Sequence, residues 1–376
     1  MPPQIESPRS ACPDVAGASN SAAEFWPARM QYGNRKLGMT RFAFNRKSAQ
    51  RFSSSNQRER LATMKRRTRC EWCVFCLLFL AISESANGSE PVVNANVTIR
   101  SKAGNSEIVI TTTERLAGAI HSLTWNNREF IDSADHGRQL QSASNLDSGN
   151  RITDETFNPT EAGSRLDGAG LKSTSRLLHI VTGPQELQTT NQMAFWLAPG
   201  EKSGANLAKN STKLSNHLLT KRVKIGYGSL PNVIQYDVTF GVPIGETHHH
   251  AVFEALTGYM PAEFEVFWKY NTSTGNLEPL DDGPGEQQFP VVLATSTGSH
   301  AMGIYTPEQN SDGTEIGSYG RFRFPDAKVV KWNSVFRRTD PQGLPAGEYS
   351  FRNFVIVGDL ATVKESIRIL RLVSIK

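Results

Sequence analysis

The chain has 376 residues, with 41 lysines and arginines against 36 aspartates and glutamates. The first 88 residues hold 14 of the basic and 6 of the acidic residues, so the remainder carries 27 against 30, a net −3, and an electrostatic case for nucleic-acid binding disappears. All four cysteines (Cys12, Cys70, Cys73 and Cys76) lie in that same segment, so the remaining 288 residues must be held by a core rather than by disulfides, and a chain of that size can build one.

Residues 1–63 are rich in Ser, Ala, Asn, Arg and Pro without an apolar period, so they read as a disordered extension or as sequence ahead of the true start. That start is expected at Met64. Lys65, Arg66, Arg67 and Arg69 form a positive block, Cys73–Ile82 an apolar run, and Ser83–Gly88 a small polar stretch with Ala86 and Gly88 at −3 and −1 of a cut before Ser89. This is the order of a cleaved secretory signal, residues 64–88, and it predicts a secreted or periplasmic protein. The ten-residue run is too short to cross a hydrocarbon core of ~30 Å as a helix, so no stable membrane anchor is expected. The Cys-x-x-Cys-x-x-Cys spacing belongs to the signal and is not read as a metal knuckle.

Residues 89–376 read as a single all-β domain. Val97–Arg100 and Glu107–Thr113 are β-branched runs joined through Ala103-Gly-Asn-Ser106, a hairpin signal. Ala119–Trp125 alternates and turns at Asn126-Asn127 into Arg128–Ile131. Ser142–Ser175 is glycine-rich and weakly periodic, and reads as a long functional loop. Lys221–Tyr227 and Val233–Phe240 predict a second hairpin, and Glu263–Tyr270, Pro290–Thr295, His300–Tyr305 and Tyr319–Phe324 further strands. The C-terminus predicts a short helix over 361–372, capped by Asp359, with Val363, Ile367, Ile369 and Leu370 as its apolar stripe. Many short strands separated by turns imply a large antiparallel sandwich or a barrel.

Three polar clusters could carry chemistry. Asp135, His136 and Arg138 flank Gly137 and suit a polyhydroxylated or anionic ligand, because Arg offers forked donors and His donates or accepts near neutral pH. A local salt bridge with a strand-end histidine is the plainer alternative. Asn158 and Glu161 in Asn158-Pro-Thr-Glu-Ala-Gly163 offer an amide and a carboxylate to sugar hydroxyls, or form a capped turn. In Glu246–Tyr259, an extended chain would point His248, His250 and Glu254 to one face, as acid/base groups or as solvated loop residues. Metal binding there would need a further ligand and supporting shell, so neither a metal nor a cofactor is expected. Among the aromatics, Trp332 between Lys331 and Asn333 is expected to face a ligand.

With Gly118-Ala-Ile-His-Ser-Leu-Thr-Trp-Asn-Asn-Arg-Glu-Phe-Ile131 in view, the chain resembles the galactose mutarotase-like supersandwich superfamily over roughly 92–375. Asp135–Gln141, Asn158–Ser164 and Glu254–Pro261 are also similar to blocks in a group of secreted bacterial proteins. The resemblance implies an antiparallel supersandwich whose concave sheet holds a saccharide, with Arg138 near the place of a sugar-binding arginine. It does not carry over a catalytic His and Glu; His136, His250 and Glu254 are candidates by their chemistry. The expected partner is a saccharide or polysaccharide, bound by Asp135, Arg138, Asn158, Glu161 and Trp332, with sugar epimerisation or uronate elimination as the proton-transfer chemistry. The other expectation is a non-catalytic structural or adhesive envelope protein.

Overall fold

Alternating apolar and polar residues close into strands from Thr98 onward in the computed structural model, which describes residues 93–148, 152–307 and 317–374. The expected extension and signal, residues 1–88, lie outside the described residues. Strands β1 (Thr98–Ala103) and β2 (Ser106–Thr112) turn at Gly104, and β3 (Ile120–Trp125) and β4 (Arg128–Glu129) turn through Asn126 and Asn127. Both asparagines have positive φ (49° and 61°), the left-handed conformation that Asn tolerates and a two-residue hairpin needs. Next come β5 (Leu140–Leu146), β6 (Pro159–Thr160), β7 (Arg176–Thr182), β8 (Glu186–Phe195) and a separate small hairpin, β9 (Lys202–Ser203) with β10 (Asn206–Leu207). The long strands β11 (Leu214–Tyr227), β12 (Leu230–Val242) and β13 (His250–Pro261) are followed by β14 (Val266–Asn271), β15 (Asn276–Pro279), β16 (Gly285–Gln287), β17 (Val291–Ala294) and β18 (Ala301–Tyr305). The chain ends with β19 (Ser318–Phe324), β20 (Val329–Thr339), β21 (Gly347–Gly358) and helix α1 (Leu360–Ser374).

All strand pairs are antiparallel and form two layers. One runs β7-β8-β11-β12-β21-β18-β17-β14-β15. The other runs β1-β2-β3-β5-β13-β20-β19-β16, and β6 bonds to both β5 and β8, so the ladder passes from one layer to the other. The fold is therefore a large antiparallel β-sandwich with a C-terminal helix, as the strand pattern predicts.

The period of two divides each strand between faces. On β12, Ile234, Tyr236, Val238 and Phe240 enter the core between the layers, where they meet Phe253, Trp332, Phe336 and Phe351. Val233, Phe354, Ile356, Ala301 and Val292 point the other way and are covered by Val363, Ile367 and Leu370 of α1. The Asp359 side chain accepts from the Thr362 N–H at 2.7 Å, the cap the sequence indicates. Thus the helix covers part of the outer face of the first sheet, the rest of which carries the Arg222–Glu186 and Arg352–Asp237 ion pairs, and the outer face of the second sheet carries charged groups as well.

Ser142–Ser175 is not one long loop. Its first residues complete β5, and its last part is fastened by Asp167, whose carboxylate accepts from Ser164 N–H, Thr174 N–H and the Thr174 hydroxyl. In the interior the same segment delivers Glu161, whose carboxylate is paired with the Lys221 ammonium; both side chains are 0% exposed. Lys221 also donates to the Gly118 carbonyl, and Glu161 accepts the Ser142 N–H at 3.1 Å. Glu161 is thus a core ion-pair partner rather than a sugar ligand.

Removing one member of such a pair strands the other charge in a low dielectric, which costs about 3–5 kcal/mol. Glu161→Gln is expected to lower unfolding free energy by that amount in urea titrations with an unchanged slope. A loss below 1 kcal/mol would show that the pair does not hold the interior together.

Candidate functional site

The site begins with an irregularity in β13. Its pairing with β20 runs Phe253↔Phe336 and Glu254↔Val335, then shifts to Leu256↔Ser334, Thr257↔Asn333, Gly258↔Trp332 and Tyr259↔Lys331. The extra residue, Ala255, makes a β-bulge. In an unbroken strand Glu254 and Thr257 would face opposite sides; the bulge brings both outward, and the Thr257 hydroxyl donates to Glu254 Oε2 at 2.6 Å. The Ser142 hydroxyl donates to the bulge carbonyl of Ala255 at 2.8 Å, so the distortion leaves that buried acceptor satisfied.

Lys331 stands opposite Tyr259 on this outward face. Its ammonium lies 3.4 Å from Glu254 Oε2 and 5.0 and 5.1 Å from the ring centres of Tyr259 and Phe322. The Glu254 side chain is 14% exposed and that of Lys331 3%, a recess that shields the charges but leaves the carboxylate within reach of solvent. Burial pulls the lysine pKa down, but the Glu254 charge and the Tyr259 phenol outweigh it and leave the pKa raised, so the ammonium is charged at neutral pH. Burial also raises the Tyr259 pKa, despite Lys331, and keeps the phenol protonated.

Two more charged pairs share this layer. Arg337, opposite Val252 on β20, bonds to Glu286 of β16 at 2.8 Å and to the Ser318 hydroxyl at 3.1 Å. Arg138 Nε bonds to Asp135 Oδ2 at 2.9 Å, with Asp132 3.6 Å from the same guanidinium. The Asp135–Arg138 loop is anchored beside β13 because Gln139 accepts from the Tyr259 N–H, Asp132 donates to the Tyr259 carbonyl, and Gln141 donates to the Gly137 carbonyl. Asp135 is near enough to Tyr259 for its charge to help raise the phenol. A Cβ on Gly137 would come within 2.7 Å of the Trp196 indole, so the half-buried tryptophan lies directly on this loop.

Asp154 is the group the sequence reading missed. It sits in the connection between β5 and β6, where burial first, and then repulsion from Glu254, raises its pKa. Its neighbour Glu155 is raised by burial against hydrogen bonds from Ser203 and Trp196. Two carboxyl groups in electrostatic contact, one of them holding its proton more tightly, are the raw material of acid–base chemistry.

The structure therefore brings Asp135, Arg138 and Glu254 toward one face and takes the other candidates elsewhere. His136 is buried, with Nδ1 2.7 Å from the Gly168 carbonyl and Nε2 2.8 Å from that of Arg115, so both ring nitrogens are engaged in tying loops together. The Asn158 side chain donates to the Ser144 carbonyl while its backbone carbonyl accepts from the Trp196 backbone N–H, so the amide braces the backbone rather than facing a ligand. Trp332 is fully buried over Gly258, where any Cβ would lie 2.4 Å from the indole, so it packs the core and presents nothing to a ligand. His250 opens β13, bonded to Thr339 at 2.6 Å. Four residues along a strand span about 13 Å, too far for His250 and Glu254 to act on one atom. His248 precedes the strand, so the expected alignment of His248, His250 and Glu254 on one strand face does not form. A cleft of about 560 Å³ beside the β7–β8 turn, lined by Gly183, Pro184, Glu186 and Lys224 among others, involves none of these groups.

No protein-family model and no curated protein matches this chain. Among solved structures, an alpha-galactosidase from Lactobacillus brevis is 8% identical with a TM-score of 0.40 over 70% of this chain and 40% of its own length. The Slr1438 protein from Synechocystis sp. PCC 6803 is 8% identical, TM-score 0.39, over 70% of this chain and 96% of that one. A heparan sulfate lyase from Pedobacter heparinus is 13% identical, TM-score 0.36, over 71% of this chain and 36% of the lyase. This chain thus spans about two-fifths of the alpha-galactosidase it is similar to, and likeness at this level says nothing about what it binds.

The raised Asp154 carboxyl has a stability consequence. Its folded-state pKa lies above the unfolded one, so ionising it weakens the fold at neutral pH, and nothing is lost below about pH 4, where both states hold the proton. Asp154→Asn is expected to be more stable than wild type at pH 7, with the difference vanishing toward pH 3.5, as read by denaturant titration at the two pH values. A wild type more stable than the variant at pH 7 would show that Asp154 is not strained by burial and Glu254.

Proposed function

We propose that the protein is exported through residues 64–88 and binds a saccharide across the outward face of its second sheet. The observation that carries this reading is the bulge-organised group in which Glu254, Thr257, Tyr259 and Lys331 share one recess beside the Asp135–Arg138 loop. Cation–carboxylate pairs present donors and acceptors side by side, as sugar hydroxyls require, and the rings of Tyr259 and Trp196 offer stacking faces. Arg138 is paired with Asp135 and Asp132 and Lys331 with Glu254, so an acidic sugar would bind by drawing the Arg138 guanidinium away from its carboxylates.

On a uronate, the residues support proton transfer next to the sugar carboxylate. Arg138 holds that carboxylate and spreads its developing charge, and Glu254 accepts the proton from the adjacent carbon. Either the leaving glycosidic oxygen departs with a proton from a neighbouring acid, a role proposed for Asp154 or Tyr259, or a proton returns to the other face and the centre is epimerised.

Purified protein is expected to bind acidic oligosaccharides on a glycan array, with Arg138→Ala losing binding. Where turnover is found, Glu254→Gln should lower it by about 10²–10⁴-fold, the usual size of acid–base assistance. Full turnover in that variant removes Glu254 from the mechanism, and silence of the wild type across acidic and neutral glycans overturns the saccharide reading.

A further inference from the structure

A second constellation lies apart from the recess and is used by nothing described above. His217 of β11, with Glu246 and His248 of the connection between β12 and β13, offer two ring nitrogens and a carboxylate oxygen that all lie within 4.8 Å of one another. Both imidazoles address the same oxygen: His217 Nε2 is 2.7 Å and His248 Nε2 2.9 Å from Glu246 Oε2. The histidines are buried and Glu246 is half-buried. Phe157 packs against both rings, at centroid distances of 6.0 and 5.3 Å, and fixes their orientation.

We infer that His217, Glu246 and His248 bind a single zinc ion. Two imidazoles and one carboxylate are the donors zinc takes, with bonds of about 2.0–2.2 Å and a fourth position left for water. Tetrahedral bonds of that length separate ligand atoms by roughly 3.3 Å. The two nitrogen–oxygen spacings, 2.7 and 2.9 Å, are shorter than that, so the imidazoles and the carboxylate would move apart by a few tenths of an ångström to admit the ion. A two-nitrogen set selects against calcium and magnesium, which prefer oxygen. His248 Nδ1 accepts the Ser148 N–H at 3.2 Å and lies 3.5 Å from Asp147 Oδ1, so metal on Nε2 would move the ring proton to Nδ1 and turn it from Ser148 to the carboxylate, the usual arrangement behind a ligating histidine. The ion would bind the loop before β13 to β11, and so hold the start of the strand that carries Glu254.

The test uses the full chain, stripped with chelator and then titrated with Zn²⁺ alone, with metal content, melting temperature and the visible spectrum of a Co²⁺ derivative as readouts. The expected result is one zinc per chain, a melting temperature that rises with Zn²⁺ but not with Ca²⁺, and tetrahedral cobalt bands. His217→Asn and Glu246→Gln, two replacements of similar shape, should each abolish stoichiometric zinc, and Asp147→Asn should weaken it about 10–100-fold. Absence of zinc binding by the folded wild type, or wild-type zinc binding in folded His217→Asn and Glu246→Gln, overturns the assignment.

Discussion

The arrangement of the recess depends on one extra residue in one strand. Strand side chains alternate strictly, so Glu254 and Tyr259, five positions apart, would project from opposite faces of a regular β13. Ala255 absorbs one position, and Glu254, Thr257 and Tyr259 then share a face while Phe253 and Leu256 remain in the core. On the far side of the bulge, the register is locked by Gly258, which leaves room for the Trp332 indole that a Cβ would displace. That lock sets Tyr259 opposite Lys331, so the packing of a buried tryptophan decides where an ammonium group stands.

The bulge is in turn supported from below. The hydroxyl of Ser142 takes the Ala255 carbonyl, the Ser142 N–H bonds to Glu161, and Glu161 is paired with Lys221. A carboxylate–ammonium pair in the interior and another in the recess thus lie along one path through β5 and β13, yet they differ in what they can do. Glu161 and Lys221 are sealed and act by satisfying each other and the backbone. Glu254 keeps partial access to solvent and sits beside a tyrosine and a lysine whose raised pKa values keep them in their ordinary protonated forms, and near an aspartate made a weaker acid.

Much of the fold was legible in the sequence because it rests on local rules. Alternation and β-branched runs marked ten of the 21 described strands but not β20 or β21, Asn126-Asn127 marked a hairpin whose turn needs positive φ, and Asp359 marked the start of α1. The recess was legible in part, through Asp135, Arg138 and Glu254. Lys331 and Asn333, which flank Trp332, face the opposite side of the strand, so the period of two singles out Lys331 rather than the tryptophan for the outward face. Asp154 and Ala255 left no comparable trace, since a bulge has no fixed sequence and the raised pKa of Asp154 comes first from tertiary burial and then from Glu254, a hundred residues away. His217 and Glu246 escaped for the same reason: their meeting with His248 is tertiary.

The most direct test follows the aromatic rings while an acidic oligosaccharide is titrated in, using ¹⁹F-labelled tryptophan and tyrosine and assigning resonances by single substitutions. Tyr259 and Trp196 should shift together and saturably, while Trp332, sealed in the core, stays in place. Saturable binding that leaves the Tyr259 and Trp196 signals unmoved would contradict the assignment of the ligand to this face.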